Sequence, residues 1–156
     1  MSTRSLPSIG FIGLGNMGGP MCKRLLGAGY AVTAFDLNTV ALDAAVAAGA
    51  VRAQSVTECA AQADIFITSL PRPDHVEAVM GGEVGTLRAL RAGSVWVDLT
   101  TNRKELVEQL ARSAPSGVSV VDCPVTGAVD GARNGKLTLF IGGEDAAVRR
   151  AGYFKE

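Results

Sequence analysis

The sequence has no excess of charge of one sign, no paired cysteines and no long hydrophobic run. Its 15 basic and 15 acidic residues give a formal net charge of zero, which argues against a nucleic-acid partner or an acidic membrane surface. The cysteines, Cys22, Cys59 and Cys123, are odd in number and lack C-x-x-C spacing, so we expect them to be reduced. Metal-ligand spacing is also missing, and no metal site is predicted. No apolar run approaches the roughly 18–20 residues of a membrane span, so we expect a cytoplasmic protein with no membrane partner.

The composition is that of a globular chain that forms one domain. At 156 residues, with 47% hydrophobic and 19% charged content, the chain is long and apolar enough to bury a sizeable interior. Short apolar strands alternate with helical segments, which predicts parallel β-α-β units. The sequence therefore indicates an α/β fold, with helices on both faces of a mostly parallel sheet. The predicted strands are Ile9–Ile12, Ala31–Phe35, Val51–Arg52, Ile65–Leu70, Ser94–Asp98, Val118–Val121 and Leu137–Ile141.

A glycine-rich loop stands between the first predicted strand and the first predicted helix. Gly13, Gly15 and Gly18 fit the pattern G-x-G-x-x-G. Gly13 permits a tight turn, Gly15 lets a pyrophosphate approach the backbone closely, and Gly18 lets the helix pack against the strand. The free N–H groups and the dipole at the start of the helix favour an anion. The residues between the glycines are Leu14, Asn16 and Met17.

This context predicts a dinucleotide-binding domain with the doubly wound Rossmann fold and the strand order 3-2-1-4-5-6. We expect the domain to cover residues 8–150, between a flexible leader at residues 1–7 and a tail at residues 151–156. Residues 122–135 are predicted to form a long loop, and Thr39 to cap the second helix. In such a sheet the ligand lies at the carboxyl ends of the strands.

Asp36 follows the second predicted strand and bears on the choice of cofactor. Its carboxylate can accept hydrogen bonds from the hydroxyls of the adenosine ribose, and it would repel a 2′-phosphate. Its neighbours Leu37 and Asn38 supply no cation for that phosphate. The position favours NAD over NADP, and the alternative is that Asp36 only caps the following turn.

Later strand ends carry further candidate residues, each with a structural alternative. Pro71 stiffens a loop near the cofactor or simply stops the strand. His75 contacts the cofactor or is an ordinary surface residue. Thr100 and Thr101 bind nicotinamide or substrate, or they cap the next helix. The backbone near Thr126 holds a substrate carboxylate or forms an ordinary turn.

Four segments together resemble the β-hydroxyacid dehydrogenase family, which includes 3-hydroxyisobutyrate and 6-phosphogluconate dehydrogenases. Residues Gly10–Met21 are similar to the family's cofactor motif, and Leu70–Pro71 to its Leu-Pro pair. Asp98–Thr101 is similar to its Asp-x-Ser-Thr segment, and Asp122–Gly127 to its substrate-binding segment. The resemblance covers about residues 8–143 in matching order.

The resemblance implies roles for individual residues. The implied cofactor contacts beyond the glycine loop and Asp36 are Leu70, Pro71, His75 and Thr101. Thr126 and Gly127 are implied to bind the carboxylate of the substrate. Ala128 stands where the family has a second glycine and would narrow that carboxylate pocket.

The family's catalytic lysine belongs to a Gly-x-Gly-x-x-Lys segment that precedes a helical C-terminal domain, and residues 1–156 contain neither. We therefore assign no catalytic residue, and expect this chain to bind NAD or NADP but to turn over little or nothing alone. The intact enzyme would transfer hydride between the nicotinamide and a small 3-hydroxy acid. The end of this domain that would meet a second domain is expected to be apolar, and its exposure would favour a homo-oligomer. The alternatives are a stand-alone, non-catalytic dinucleotide-binding module and a Rossmann protein for flavins or nucleotide sugars.

Overall fold

The computed structural model of the chain describes residues 5–82 and 85–151. Parts of the predicted leader and tail, residues 1–4 and 152–156, lie outside the described residues. Ala151, which the sequence assigns to the tail, is buried and follows the last helix.

The main sheet has six parallel strands in the order β3-β2-β1-β4-β5-β6, which confirms the predicted topology. Its central strands are buried along their whole length, as expected for a parallel sheet that is covered on both faces. Ile9 of β1 is paired with Val32 of β2 on one side and with Ile65 of β4 on the other. The strands are β1 Ile9–Ile12, β2 Val32–Phe35, β3 Val51–Arg52, β4 Ile65–Thr68, β5 Val95–Asp98 and β6 Ser119–Asp122.

Helices cover both faces of the sheet, and each face has its own apolar core. One core includes Leu25 and Leu42 from α1 and α2, and the other includes Val76 and Leu106 from α4 and α5. This arrangement confirms the predicted two-sided packing. The helices are α1 Gly18–Gly27, α2 Thr39–Ala47, α3 Val56–Ala61, α4 Pro73–Met80, α5 Lys104–Ser113, α6 Ala128–Asn134 and α7 Asp145–Arg150, and a 3₁₀ turn spans Thr86–Ala89.

The segment after β6 differs from its prediction as a long loop. It contains a short strand, β7 Val125–Thr126, and the helix α6. The predicted last strand is shorter, β8 Thr138–Leu139, and pairs antiparallel with β7 in a separate two-stranded ribbon. Packing of α6 against α1 stabilises the helix, which its glycine-interrupted sequence does not indicate.

Two smaller predictions are corrected by local hydrogen bonds. Asn38, not Thr39, caps α2, because its side chain accepts hydrogen bonds from the N–H groups of Val40 and Ala41 at 3.0 and 3.2 Å. Strand β4 ends at Thr68 rather than at Leu70, because the Leu70 N–H donates to a side chain instead of a neighbouring strand. None of the helices in the described part of the chain has the length and apolar character of a membrane span.

Candidate functional site

The segments selected from the sequence lie together at the carboxyl edge of the sheet. The glycine loop follows β1, and Asp36 follows β2. Leu70 and Pro71 follow β4, Thr101 follows β5, and the segment that leads to Thr126 follows β6. Because all six strands are parallel, their carboxyl ends meet at one edge. The topology therefore gathers residues that are far apart in the chain at one edge of the sheet.

The three glycines of the loop differ in what surrounds them. Gly13 has a φ of +90°, and a Cβ there would overlap the carbonyl oxygen of Ser69. A Cβ on Gly18 would overlap the carbonyl oxygen of Gly13. A Cβ on Gly15 would meet no atom within 4 Å. The packing of the protein thus explains Gly13 and Gly18, whereas Gly15 faces open space where a ligand can approach.

The start of α1 is open to an anion. No side chain caps the helix at Met17, and its first turn contains no acidic residue. The Gly19 N–H already donates to the Gly15 carbonyl oxygen at 2.9 Å, so this end attracts negative charge mainly through the positive end of the helix dipole. A cleft of about 800 Å³ between α1, α2 and α6 reaches Gly15 and Asn16 of the loop. Three cations and no carboxylate line it, namely Lys23, Arg24 and Arg133.

Asp36 links the end of β2 to the glycine loop. Its Oδ2 accepts a hydrogen bond from the Leu14 N–H at 2.6 Å, and its Oδ1 accepts one from the Asn38 N–H at 2.8 Å. Asp36 therefore caps the turn that follows it, as the alternative interpretation holds. It also bonds to the glycine loop, which the sequence did not predict. A carboxylate has about four acceptor positions, so both oxygens keep room for ribose hydroxyls.

A buried carboxylate at the end of β5 connects the segments that follow β4 and β5. Asp98 is only 1% exposed, and its Oδ1 accepts hydrogen bonds from the Thr68 hydroxyl at 2.8 Å and from the Thr100 N–H at 3.1 Å. The side-chain amide of Asn102 donates to its Oδ2. The indole N–H of Trp96 donates to the Thr68 hydroxyl at 2.9 Å.

Neither Thr100 nor Thr101 caps the next helix, because α5 has Arg103 at its N-cap position and no side-chain cap there. Thr100 is buried, and its hydroxyl accepts a hydrogen bond from the Leu70 N–H at 3.0 Å. Thr101 is exposed and follows directly. The sequence did not indicate that Asp98 connects the two loops. The clue in the sequence is that Asp98 is a carboxylate at the end of an otherwise apolar strand.

The segment after β4 carries the remaining candidate cofactor contacts. Leu70 is half-buried and Pro71 is exposed. His75 lies in α4 and is half-buried, and within the described residues its buried Nδ1 has no hydrogen-bond partner. A shallow cleft of about 360 Å³ lies beside them, between Arg72 and Arg103.

Thr126 and Gly127 lie at the end of β7 and the start of α6, both exposed. Gly127 has a φ of +132°, which favours glycine. Ala128 follows with a φ of +56°, the one positive φ on a non-glycine residue in the ranges that the structure describes. A second glycine would adopt this conformation without the strain of a Cβ.

The cysteines behave as core residues. Cys22, Cys59 and Cys123 are buried and free of disulfides. Burial raises the pKa of Cys22 to about 11 and that of Cys59 to about 12, so both thiols stay protonated at neutral pH. Across residues 5–82 and 85–151, no cluster of three or more His, Cys, Asp or Glu side chains is placed to bind a metal.

Asp122 is the acidic group of the site that is least well compensated. It pairs with Asp98 in the register of β5 and β6, and its buried Oδ1 has no hydrogen-bond partner within the described residues. Burial, with a smaller contribution from the charge of Asp98, raises the pKa of Asp122 to about 6. Burial also raises the pKa of Asp98, although the hydrogen bonds from Thr68, Thr100 and Asn102 oppose the shift.

We expect Asp122→Asn to stabilise the fold at neutral pH. The pKa of Asp122 is higher in the folded chain than in the unfolded chain, so the stability of the wild type falls as pH rises from about 4 through about 6. The full shift corresponds to about 3 kcal/mol, which solvent screening of this half-exposed group reduces to about 1 kcal/mol. Urea unfolding at about pH 7.5 should show this gain in the free energy of unfolding. The difference between the variant and the wild type should disappear near pH 4, where Asp122 is protonated. Asp130→Asn, at an exposed carboxylate, is the control, and a gap that does not change with pH would contradict the prediction.

Comparison with known proteins places the chain in a family. Residues 8–154 match the family described as the NAD binding domain of 6-phosphogluconate dehydrogenase. The chain is 42% identical over 143 residues to 2-(hydroxymethyl)glutarate dehydrogenase of Eubacterium barkeri, covering 91% of this chain and 48% of that protein.

Solved structures agree with the sequence relatives. The 3-hydroxyisobutyrate dehydrogenase of Mycobacterium tuberculosis, solved with L-serine, is 34% identical with a TM-score of 0.88, covering 97% of this chain and 52% of that chain. A structure described as Psf3 in complex with NADP+ and 2-OPP is 29% identical with a TM-score of 0.88, covering 94% and 53%.

The chain spans about half the length of the curated relatives it matches. The relatives are named as dehydrogenases of small hydroxy acids. The resemblance inferred from the four sequence segments is thus confirmed. The chain belongs to the family of NAD(P)-binding domains found in 6-phosphogluconate and 3-hydroxyisobutyrate dehydrogenases, the β-hydroxyacid dehydrogenases.

Proposed function

We propose that residues 8–150 are the dinucleotide-binding domain of an oxidoreductase that transfers hydride between a nicotinamide cofactor and a small 3-hydroxy acid. The observation that carries the proposal is Gly15. The packing of the protein does not require a glycine at this position, because a Cβ there would meet no protein atom within 4 Å. It lies beside an uncapped helix start, where a pyrophosphate would need both close approach and N–H donors.

Each candidate residue has a proposed task. The glycine loop binds the pyrophosphate, and Asp36 binds the adenosine ribose. When bound, the nicotinamide supplies the carbon that accepts or donates hydride. Thr126 and Gly127 bind the substrate carboxylate. The remaining proposed cofactor contacts are Leu70, Pro71, His75 and Thr101.

No catalytic residue is assigned within residues 8–150, and this domain alone is proposed to bind the cofactor rather than to turn over substrate. In the family that this chain resembles, the lysine that transfers the hydroxyl proton belongs to a Gly-x-Gly-x-x-Lys segment outside the dinucleotide-binding domain. A non-catalytic dinucleotide-binding module is the second candidate. Spectrophotometric assay of NADH formation from 3-hydroxyisobutyrate, L-serine and related acids, made on the full-length protein, separates the two.

The setting of the protein is also a proposal. We propose a cytoplasmic location, although several relatives are named as mitochondrial. We propose self-association because large apolar side chains are exposed, and light scattering tests it. They are Leu6, Leu37, Val40, Val51 and Phe140.

We expect NAD+ to bind more tightly than NADP+, because the Asp36 carboxylate repels a 2′-phosphate. Asp36→Asn removes the charge and keeps one oxygen that can accept the Leu14 N–H, while its NH₂ group replaces the oxygen that accepts the Asn38 N–H. The variant should lower the NAD+ to NADP+ affinity ratio by about tenfold, as calorimetric titration of both cofactors can show.

Asp43→Asn is the matched control, since Asp43 is an exposed carboxylate of α2 that pairs with Arg52. It should leave the affinity ratio unchanged. Tighter binding of NADP+ by the wild type would overturn this interpretation of Asp36.

A further inference from the structure

The hydrogen bonds of Asp98 tie together two loops that are distant in the sequence. Through Thr68, its carboxylate is joined to the end of β4, 30 residues earlier in the chain. Through Thr100 and Asn102 it is joined to the turn that follows β5. One buried side chain therefore connects the base of the first loop to the base of the second.

A second bond closes the connection. The Thr100 hydroxyl accepts the Leu70 N–H, so the backbone of the first loop is held by a side chain of the second. Asp98 in turn holds the Thr100 backbone in place at 3.1 Å. If the Asp98 carboxylate is lost, the Thr100 hydroxyl loses its anchor and the Leu70 N–H loses a fixed partner.

Two residues that follow this network directly in the chain are among those proposed to touch the cofactor. Pro71 and Thr101 are exposed, and each directly follows a residue of the network, Leu70 or Thr100. A loop that is already ordered loses less conformational entropy when a ligand binds. The affinity for the cofactor should therefore depend on bonds made by a residue that does not touch it.

We infer that Asp98 is a positioning residue, which holds the loops after β4 and β5 in the conformation that receives the nicotinamide half of the cofactor. This role rests on the proposed function. It assigns to the carboxylate a task distinct from that of the glycine loop, which receives the pyrophosphate. The hydrogen bonds that hold the loops are made between protein groups alone, so the order of the loops can be measured without cofactor.

The test is an exchange of side chains between positions 98 and 102. In Asp98→Asn, the amide oxygen can still accept from Thr68 and Thr100, but its NH₂ group faces the NH₂ group of Asn102, and donor meets donor. In Asn102→Asp, two carboxylates face each other. The double variant Asp98→Asn/Asn102→Asp restores a donor and an acceptor between the two positions, but not the bond from the Asn102 amide to the Thr100 carbonyl at 3.3 Å.

Two measurements are made on the wild type, both single variants and the double variant. NADH fluorescence titration is made at about pH 8, above the pKa of about 6 to which burial raises Asp122 in the wild type. Each single variant should weaken NADH binding by about tenfold, and the double variant should recover most of the loss. Amide hydrogen exchange without cofactor should show faster exchange at Leu70 and Thr100 in the single variants, with recovery in the double variant.

The outcomes separate this inference from the proposed function. A wild type that does not bind NADH overturns the proposed function, and the exchange rates at Leu70 and Thr100 then decide by themselves whether Asp98 orders the loops. Normal NADH affinity in a folded Asp98→Asn variant overturns the positioning role. So does a double variant that behaves no better than the single ones. A lower melting temperature with unchanged affinity would make Asp98 a purely structural residue.

Discussion

Gly15→Ala is expected to leave the fold unchanged and to weaken NAD+ binding by about tenfold or more. The added methyl group meets no protein atom within 4 Å, and the backbone there does not have a positive φ. The chain itself should therefore tolerate the change, and the melting temperature should stay within about 2 °C of the wild type. A bound pyrophosphate would have to move away from the methyl group, which lengthens its hydrogen bonds to the backbone.

Gly27→Ala is the control for this experiment. Gly27 ends α1, and a Cβ there also meets nothing within 4 Å. It lines the same cleft as Gly15 but lies about two and a half turns of helix beyond the loop, where no pyrophosphate is placed. The control should bind NAD+ like the wild type in calorimetric titration. Equal affinity of Gly15→Ala and wild type would show that the pyrophosphate does not approach the loop at Gly15.

Gly18→Ala is expected to destabilise the fold by about 3 kcal/mol or more. Its Cβ would overlap the carbonyl oxygen of Gly13 and lie 3.3 Å from the ring of Phe11. The nearest obstacle is backbone, which cannot rotate away as a side chain can. Relief therefore requires α1 to shift away from β1, in a chain whose total stability is on the order of 5–15 kcal/mol.

Urea unfolding of Gly18→Ala beside Gly27→Ala measures this effect within one helix. Gly27→Ala should be neutral or slightly stabilising, because alanine favours the helix more than glycine does. The transition midpoint of Gly18→Ala should fall well below that of the wild type with a similar slope. Equal midpoints for the two variants would contradict the close contact between Gly13 and Gly18.

The two glycine variants separate roles that the motif alone does not separate. The pattern G-x-G-x-x-G assigns one glycine to the turn, one to the ligand and one to helix packing. In the structure, a Cβ on Gly13 or Gly18 would overlap the protein backbone, whereas a Cβ on Gly15 would meet no atom within 4 Å. The first variant should therefore impair binding without unfolding, and the second should impair folding.

The part of the site that sequence reasoning missed depends on contacts between distant residues. Thr68 and Asp98 are 30 residues apart, as are Leu70 and Thr100, so no local pattern pairs them. The same holds for the Leu14 N–H and the Asp36 carboxylate, which are 22 residues apart. Each bond exists because parallel strands bring their carboxyl ends to one edge.

The helix α6 was missed for a related reason. Its sequence contains Gly131 and follows Gly127, and both glycines favour a loop over a short helix. Only Ala132 is buried in it, so it shows no apolar periodicity. The helix is stabilised by packing against α1 and ends at Gly135, which has a φ of +66°. Neither contribution can be recognised before the position of α1 is known.

The sequence by itself determined the strand order, the two-sided packing of helices and the place of the glycine loop. These follow from local apolar runs, from the handedness of β-α-β connections and from the steric needs of single glycines. Only the tertiary structure decided that Asp98 joins two loops, that Asp122 carries a raised pKa and that residues 122–135 contain a helix and a strand. Those features depend on burial and on hydrogen bonds between distant segments, which arise when the sheet is assembled.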